Sequence, residues 1–139
     1  MGLDERIDAI ARSLREREAR HADAMASARA KADQLHATAT AAIARFSDAV
    51  GDALPGLRVD VSDPRLDDKH VHAIEFDLER GRHRAIVTVK SKSEVIFVGP
   101  FRVGKNEGPC KTLPFDPHGD LEDALGDLIE RFLEEATNP

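Results

Sequence analysis

The first fifty residues contain no helix-breaking residue after Gly2. From Leu3 to Val50 the sequence has neither Pro nor Gly, and alanine recurs throughout. Because these two residues most disfavour a helix interior, the stretch predicts one very long helix over residues 3–50. At 1.5 Å per residue, such a helix is roughly 70 Å long. The residues that follow would fold to a radius of gyration of only about 12 Å. We therefore expect part of the helix to pack against a second copy of the chain.

Apolar residues follow helical spacing in two parts of this helix, with a polar stretch from Arg15 to Asp23 between them. The first part recurs at spacings of four, three and four, which places its members on one helix face. The second part is narrow and consists largely of alanine, which predicts that another helix approaches it closely. The polar stretch is the place for either a bend or a solvated bridge. The residues predicted to contact another copy are Leu3, Ile7, Ile10, Leu14, Met25, Ala28, Ala32 and Leu35.

Between residues 57 and 115 the apolar period changes from helical spacing to alternation. Alternation with turn residues at the ends predicts an antiparallel sheet of four to five strands. A two-residue turn at Arg80-Gly81 predicts a hairpin in which Asp77 lies opposite Arg84. Residues 65–69 are interpreted as a polar loop. The inner strands are apolar on both faces, which predicts that both faces of the sheet are covered.

Residues 120–136 predict a C-terminal amphipathic helix with an acidic outer face. Residues 116–139 hold one basic and eight acidic side chains, and this segment accounts for the net charge of −6. An acidic face of this kind is a candidate surface for a basic partner. The candidate partner-binding residues are Glu122, Asp127, Glu130 and Glu134. Together the three parts predict an α+β fold in a single domain spanning residues 1–139.

Composition argues against several classes of protein. The sequence has no apolar run near 18 residues, so we expect no membrane span. Cys110 is the single cysteine, which excludes an internal disulfide and fits a reducing compartment, so we expect a cytoplasmic protein. Trp and Tyr are absent and the net charge is negative, both of which make nucleic acid an unlikely partner.

Two motifs suggest ligands but do not meet the chemical requirements for binding them. Gly99–Asn106 nearly matches a phosphate-binding loop, but Asn replaces the Mg²⁺-binding Ser or Thr. Gly108-Pro109 follows at once, so no helix can begin there to bind phosphate. His70 and His72 share a face if the segment is a strand, but no third metal ligand is evident. We therefore expect no metal and no cofactor.

The interpretation that follows is a non-enzymatic interaction or adaptor protein, associating with itself through the long helix as a homodimer or higher oligomer. No catalytic residue is assigned. The most reactive candidate is Cys110, whose thiol pKa the neighbouring Lys111 could lower, but a lone cysteine does not define a catalytic site. One alternative is a small-molecule-binding enzyme that uses the sheet face and the 99–111 loop. A second is a nucleoid-type DNA-binding protein, for which the basic residues of the hairpin would supply phosphate contacts.

Overall fold

The computed structural model describes residues 2–54, 56–67, 72–104, 108–115 and 119–138. It consists of a long N-terminal helix, an antiparallel sheet and a C-terminal helix, so the predicted α+β fold is confirmed. The chain runs through α1 (Leu3–Val50), a 3-10 turn (Gly51–Ala53), β1 (Asp60–Val61), β2 (Arg65–Leu66), β3 (Ala73–Arg80), β4 (His83–Lys90), β5 (Glu94–Arg102), β6 (Cys110–Pro114) and α2 (Asp120–Ala136).

Helix α1 is unbroken across the polar stretch Arg15–Asp23. Asp4 and Glu5 lie in its first turn, where negative charge complements the helix dipole. The helix ends at Gly51, which has a φ of +56° and donates its backbone N–H to the Ser47 carbonyl. Positive φ is a conformation that glycine adopts without strain, so the first glycine after fifty residues is also where the helix stops.

The sheet has the strand order β1-β3-β4-β5-β6, and β2 also pairs with β3. All of its pairings are antiparallel. The β3–β4 hairpin turns at Gly81-Arg82, one residue later than predicted, so Glu79 rather than Asp77 lies opposite Arg84. Gly81 has a φ of +59° and takes the first position of the turn, where glycine is favoured.

Two segments predicted as loops are partly strand. Arg65 and Leu66 pair with the outer edge of β3, whose backbone groups would otherwise lack partners. Strand β5 extends to Arg102 and β6 begins at Cys110, so the predicted 99–111 loop is confined to residues 103–109. Of this loop, residues 105–107 lie outside the described part of the chain.

Both helices pack on the same face of the sheet. Phe76, Val87 and Phe97 lie side by side across β3, β4 and β5, and all three are buried. Leu35 of α1 and Phe132 of α2 belong to the same buried cluster. Each helix contacts two of the central strands, which joins α1, the sheet and α2 into one core.

The opposite face of the sheet is not covered by either helix. Its central apolar residues, Ile86, Ile96 and Val98, are only half-buried. The prediction that both faces are covered is therefore wrong for the described part of a single chain. Burial alternates along most of β4 and β5, so the residues that face the helices are buried and those on the second face are only partly buried.

Candidate protein-interaction surfaces

The first third of α1 extends beyond the rest of the domain. Residues 3–20, which we term the N-terminal arm, are all exposed. Cover begins at His21, which is half-buried and whose ring meets the His72 ring edge to face at 4.8 Å between centroids. At 1.5 Å per residue, the arm extends roughly 27 Å past this contact.

The N-terminal arm carries an exposed apolar stripe. Leu3, Ile7, Ile10 and Leu14 are 64%, 52%, 66% and 51% exposed. Their spacing places them on the helix face that further along α1 turns Ala32 into the core. Large apolar side chains aligned on one exposed helix face are typical of an interaction site. These four residues are the first half of the interface predicted from the sequence, and their role in an interface stays a prediction.

The second half of that predicted interface lies in the core of the single chain. Ala28, Ala32 and Leu35 are 0%, 0% and 1% exposed, and Met25 packs partly buried against the same cluster. The partner of the alanine stripe is the sheet, with His36 edge-on to Phe76 at 5.3 Å between ring centroids. We therefore remove these four residues from the interface, because a second copy cannot reach side chains that the chain's own sheet covers.

A groove runs between the C-terminal part of α1 and helix α2, and we term it the α1–α2 groove. Apolar side chains that are only partly covered, including Phe46 and Leu133, form its floor beside the buried Ile129. Its open volume is about 450 Å³. The lining residues are Thr38, Ala42, Arg45, Phe46 and Ala49 from α1 and Glu122, Gly126, Ile129, Glu130 and Leu133 from α2.

The four acidic residues predicted to bind a partner are all exposed. Glu122 and Glu130 line the α1–α2 groove. Asp127 and Glu134 are three and four residues from Glu130 along α2, so they are its neighbours on the helix surface, but they do not line the groove. Asp127 lines a cavity between α2 and strands β5 and β6 together with Arg131. Of the predicted acidic face, only Glu122 and Glu130 therefore border the apolar floor of the groove.

A polar cluster joins β2 to the uncovered face of the sheet. The Asp77 carboxylate, 4% exposed as a residue, accepts a hydrogen bond from Arg84 Nε at 2.8 Å and also contacts Arg65 at 3.3 Å. Arg65 bonds Glu75 at 3.0 Å as well, and the Ser62 hydroxyl accepts the Asp77 backbone N–H. Burial raises the pKa of the Asp77 carboxyl, but hydrogen bonds from Ser62, Arg84 and Arg65 outweigh burial and hold that pKa below its ordinary value.

This cluster is internally paired, and its contacts connect β2 to β3 and β4. The sequence pointed to the Asp77–Arg84 contact, although through a register in which they lie directly opposite. They contact each other diagonally across the hairpin instead. Arg65 was missed, because nothing in a short polar segment indicates that it returns to the edge of β3.

The remaining sequence motifs are not brought together. Lys105 and Asn106 of the near phosphate-binding loop lie outside the described residues, and Pro109 leads into strand β6 instead of a helix. His70 is also outside them, while its neighbour His72 contacts His21. Within the described ranges, no group of three or more His, Cys, Asp or Glu residues is placed to hold a metal ion.

Cys110 is exposed at the start of β6 and forms no disulfide. It lines the cavity that also contains Asp127 and Arg131, which measures about 140 Å³. Pockets for small organic ligands are usually about 300–1,000 Å³. This cavity is therefore too small to accommodate an organic substrate of ordinary size.

None of the helices in the described part of the chain is both long enough and apolar enough to cross a membrane. Comparison with known protein families, with curated proteins and with solved structures finds no match. The surfaces of the chain itself therefore carry the functional interpretation, and the exposed stripe of the N-terminal arm is the foremost of them.

Proposed function

We propose that this protein is a non-enzymatic interaction module that associates with a second copy of itself through the N-terminal arm. The observation that carries the proposal is the exposed stripe of Leu3, Ile7, Ile10 and Leu14 on a helix segment that the rest of the described chain leaves uncovered. A solvated helix that served only as a spacer would need no apolar stripe. The absence of internal cover makes another chain the natural partner.

The free energy gained by burying the stripe can be compared with the free-energy cost of association. Each of its four side chains is about half exposed, so complete burial contributes about 1 kcal/mol apiece. Two arms packed together would therefore gain about 8 kcal/mol, against an association cost of about 4–15 kcal/mol. Pairing of arms alone is marginal, so stable self-association needs additional apolar surface.

Light scattering at micromolar concentration tests the proposal. We expect a mass of at least twice 15.2 kDa. Ile10→Asp places a charge in the middle of the stripe and should return the protein to a monomer that still unfolds cooperatively, because Ile10 makes no contribution to the core. Ala9→Asp is the matched control, since the adjacent residue is exposed and lies off the stripe.

A wild-type protein that remains monomeric over the whole concentration range would overturn the proposal. So would an Ile10→Asp variant that keeps the wild-type oligomeric state. Loss of association in Ala9→Asp as strong as in Ile10→Asp would show that charge on the arm, and not the apolar stripe, decides assembly.

A cytoplasmic location is part of the same proposal. It is supported by the free, exposed Cys110, which a reducing compartment would keep as a thiol. Thiol labelling of Cys110 in intact cells, compared with labelling after reduction, tests it. A cysteine found oxidised in the native host would argue for a different compartment.

A further inference from the structure

We infer that the α1–α2 groove is the seat for the N-terminal arm of a second copy, so that assembly proceeds by insertion of the arm into the groove. This inference rests on the proposed self-association and names the surface that receives the stripe. The groove offers the arm a partly exposed apolar floor, centred on Phe46 and Leu133, which adds apolar surface beyond that of the arm itself. An amphipathic helix in an apolar groove is a recurrent mode of protein recognition.

Gly126 is the first independent observation. It lies in the middle of α2, where glycine destabilises a helix relative to alanine. A Cβ atom built on Gly126 would meet nothing within 4 Å, so packing within the described part of the chain does not require glycine there. Because Gly126 lines the groove, the missing side chain leaves the α2 backbone open to close approach from outside.

The α1 side of the groove also has short side chains. Ala42 and Ala49 line it with methyl side chains, and Thr38 adds another short side chain. Small residues on both helices allow a third helix to lie close to their backbones, as small side chains do wherever helices pack tightly. The large side chains of the stripe, Leu and Ile, supply the complementary bulk.

The charges of the arm match those of the groove. Arg6 and Arg17 lie beside the apolar stripe on one flank by their helical spacing. The α2 rim of the groove presents Glu122 and Glu130, which are exposed. An arm lying in the groove with its stripe inward can therefore place its basic flank along the acidic rim.

The opposite flank of the arm has charges complementary to the α1 rim of the groove. That flank carries Asp4 and Glu18, and the α1 rim of the groove carries Arg45. Reversing the direction of the arm would place like charges together on both rims, which is unfavourable. Charge thus selects one of the two directions in which the arm can lie.

Charge reversal with rescue tests the inference. In analytical ultracentrifugation, Glu122→Lys with Glu130→Lys should weaken self-association by about tenfold or more, because like charges then face each other. Adding Arg6→Glu with Arg17→Glu to the same chain should restore it. Asp127→Lys with Glu135→Lys is the matched control, since it makes the same change of charge on α2 away from the groove.

A second variant separates folding from assembly. Gly126→Leu fills the groove with a good helix former, so it should raise the melting temperature by about 3–5 °C while it weakens self-association. If groove variants leave assembly intact while Ile10→Asp abolishes it, the groove is not the seat and the arms pair with each other. If the wild-type protein is a monomer, both this inference and the proposed self-association are overturned.

Discussion

Replacing Asp77 with Asn tests how the uncovered face of the sheet is held together. The substitution keeps the size of the side chain and removes its charge. In the native protein the carboxylate receives Arg84 and Arg65 from two different strands, and its pKa is held below the ordinary value despite burial. The variant leaves both guanidinium groups without their shared counter-ion.

The geometry sets the size of the effect. Removing one partner of a fully buried ion pair costs about 3–5 kcal/mol, because a buried charge is left unpaired. Here the side chains of Arg65 and Arg84 are 41% and 34% exposed, so water can solvate them once the carboxylate is gone. We therefore expect a loss of about 2 kcal/mol, near the value for one hydrogen bond to a charged group.

Urea unfolding at pH 7 measures this loss, with Asp33→Asn as the control, because Asp33 is an exposed carboxylate of α1 outside this cluster. The pH dependence supplies a second check. Because the folded-state pKa of Asp77 is lowered, its contribution is present above the unfolded-state pKa and is lost as pH falls through the folded-state value, that is, below about pH 4. Wild type and Asp77→Asn should converge there. Equal stability of the two at pH 7 would refute the reasoning, and so would a difference that persists in acid.

Three further predictions follow from the core and from the rejected ligands. Phe132→Ala should cost about 3–5 kcal/mol in chemical unfolding, because Phe132 is fully buried between α2 and the sheet; a loss below about 1 kcal/mol would contradict that placement. Ala32→Leu should destabilise the chain by about 1–3 kcal/mol, since the sheet leaves no room over Ala32, and an unchanged melting temperature would show otherwise. Fluorescence anisotropy should detect no duplex DNA binding tighter than about 10⁻⁴–10⁻⁶ M at physiological salt; tighter binding that Arg82→Ala with Arg84→Ala abolishes would favour the nucleoid alternative.

Helix α2 shows how much local pattern can predict. Its predicted bounds of 120–136 are those of the structure, and Leu125, Leu128 and Phe132 of its apolar stripe are buried. The reason is that the period of the apolar residues is a local signal, and so is the acidic first turn. The hairpin register was harder to predict. Shifting the turn from Arg80-Gly81 to Gly81-Arg82 changes every opposing pair but preserves the alternation of apolar and polar residues.

The candidate interaction surfaces also differ in how far they could be predicted from the sequence. The stripe of the N-terminal arm could be recognised from spacing, since Leu3 to Leu14 repeat on one helix face. The groove could not, because its two walls are about eighty residues apart in the chain and meet only through packing on the sheet. From the sequence, Gly126 can be recognised only as a residue that lowers the stability of α2. Its position beside the groove becomes apparent only when its surroundings are known.

The long helix, the alternating strands and the acidic C-terminal helix can all be predicted from local sequence, because helix propensity and apolar period act between near neighbours. Which part of the long helix is covered depends instead on packing between distant segments. The apolar residues before Arg15 and those after Asp23 lie on the same helix face, and helical spacing alone does not distinguish the exposed part from the covered part. Burial depends on what other segments reach that face, and the sheet reaches only the part beyond His21. The same pattern therefore forms core at one end of the helix and an exposed surface for another chain at the other.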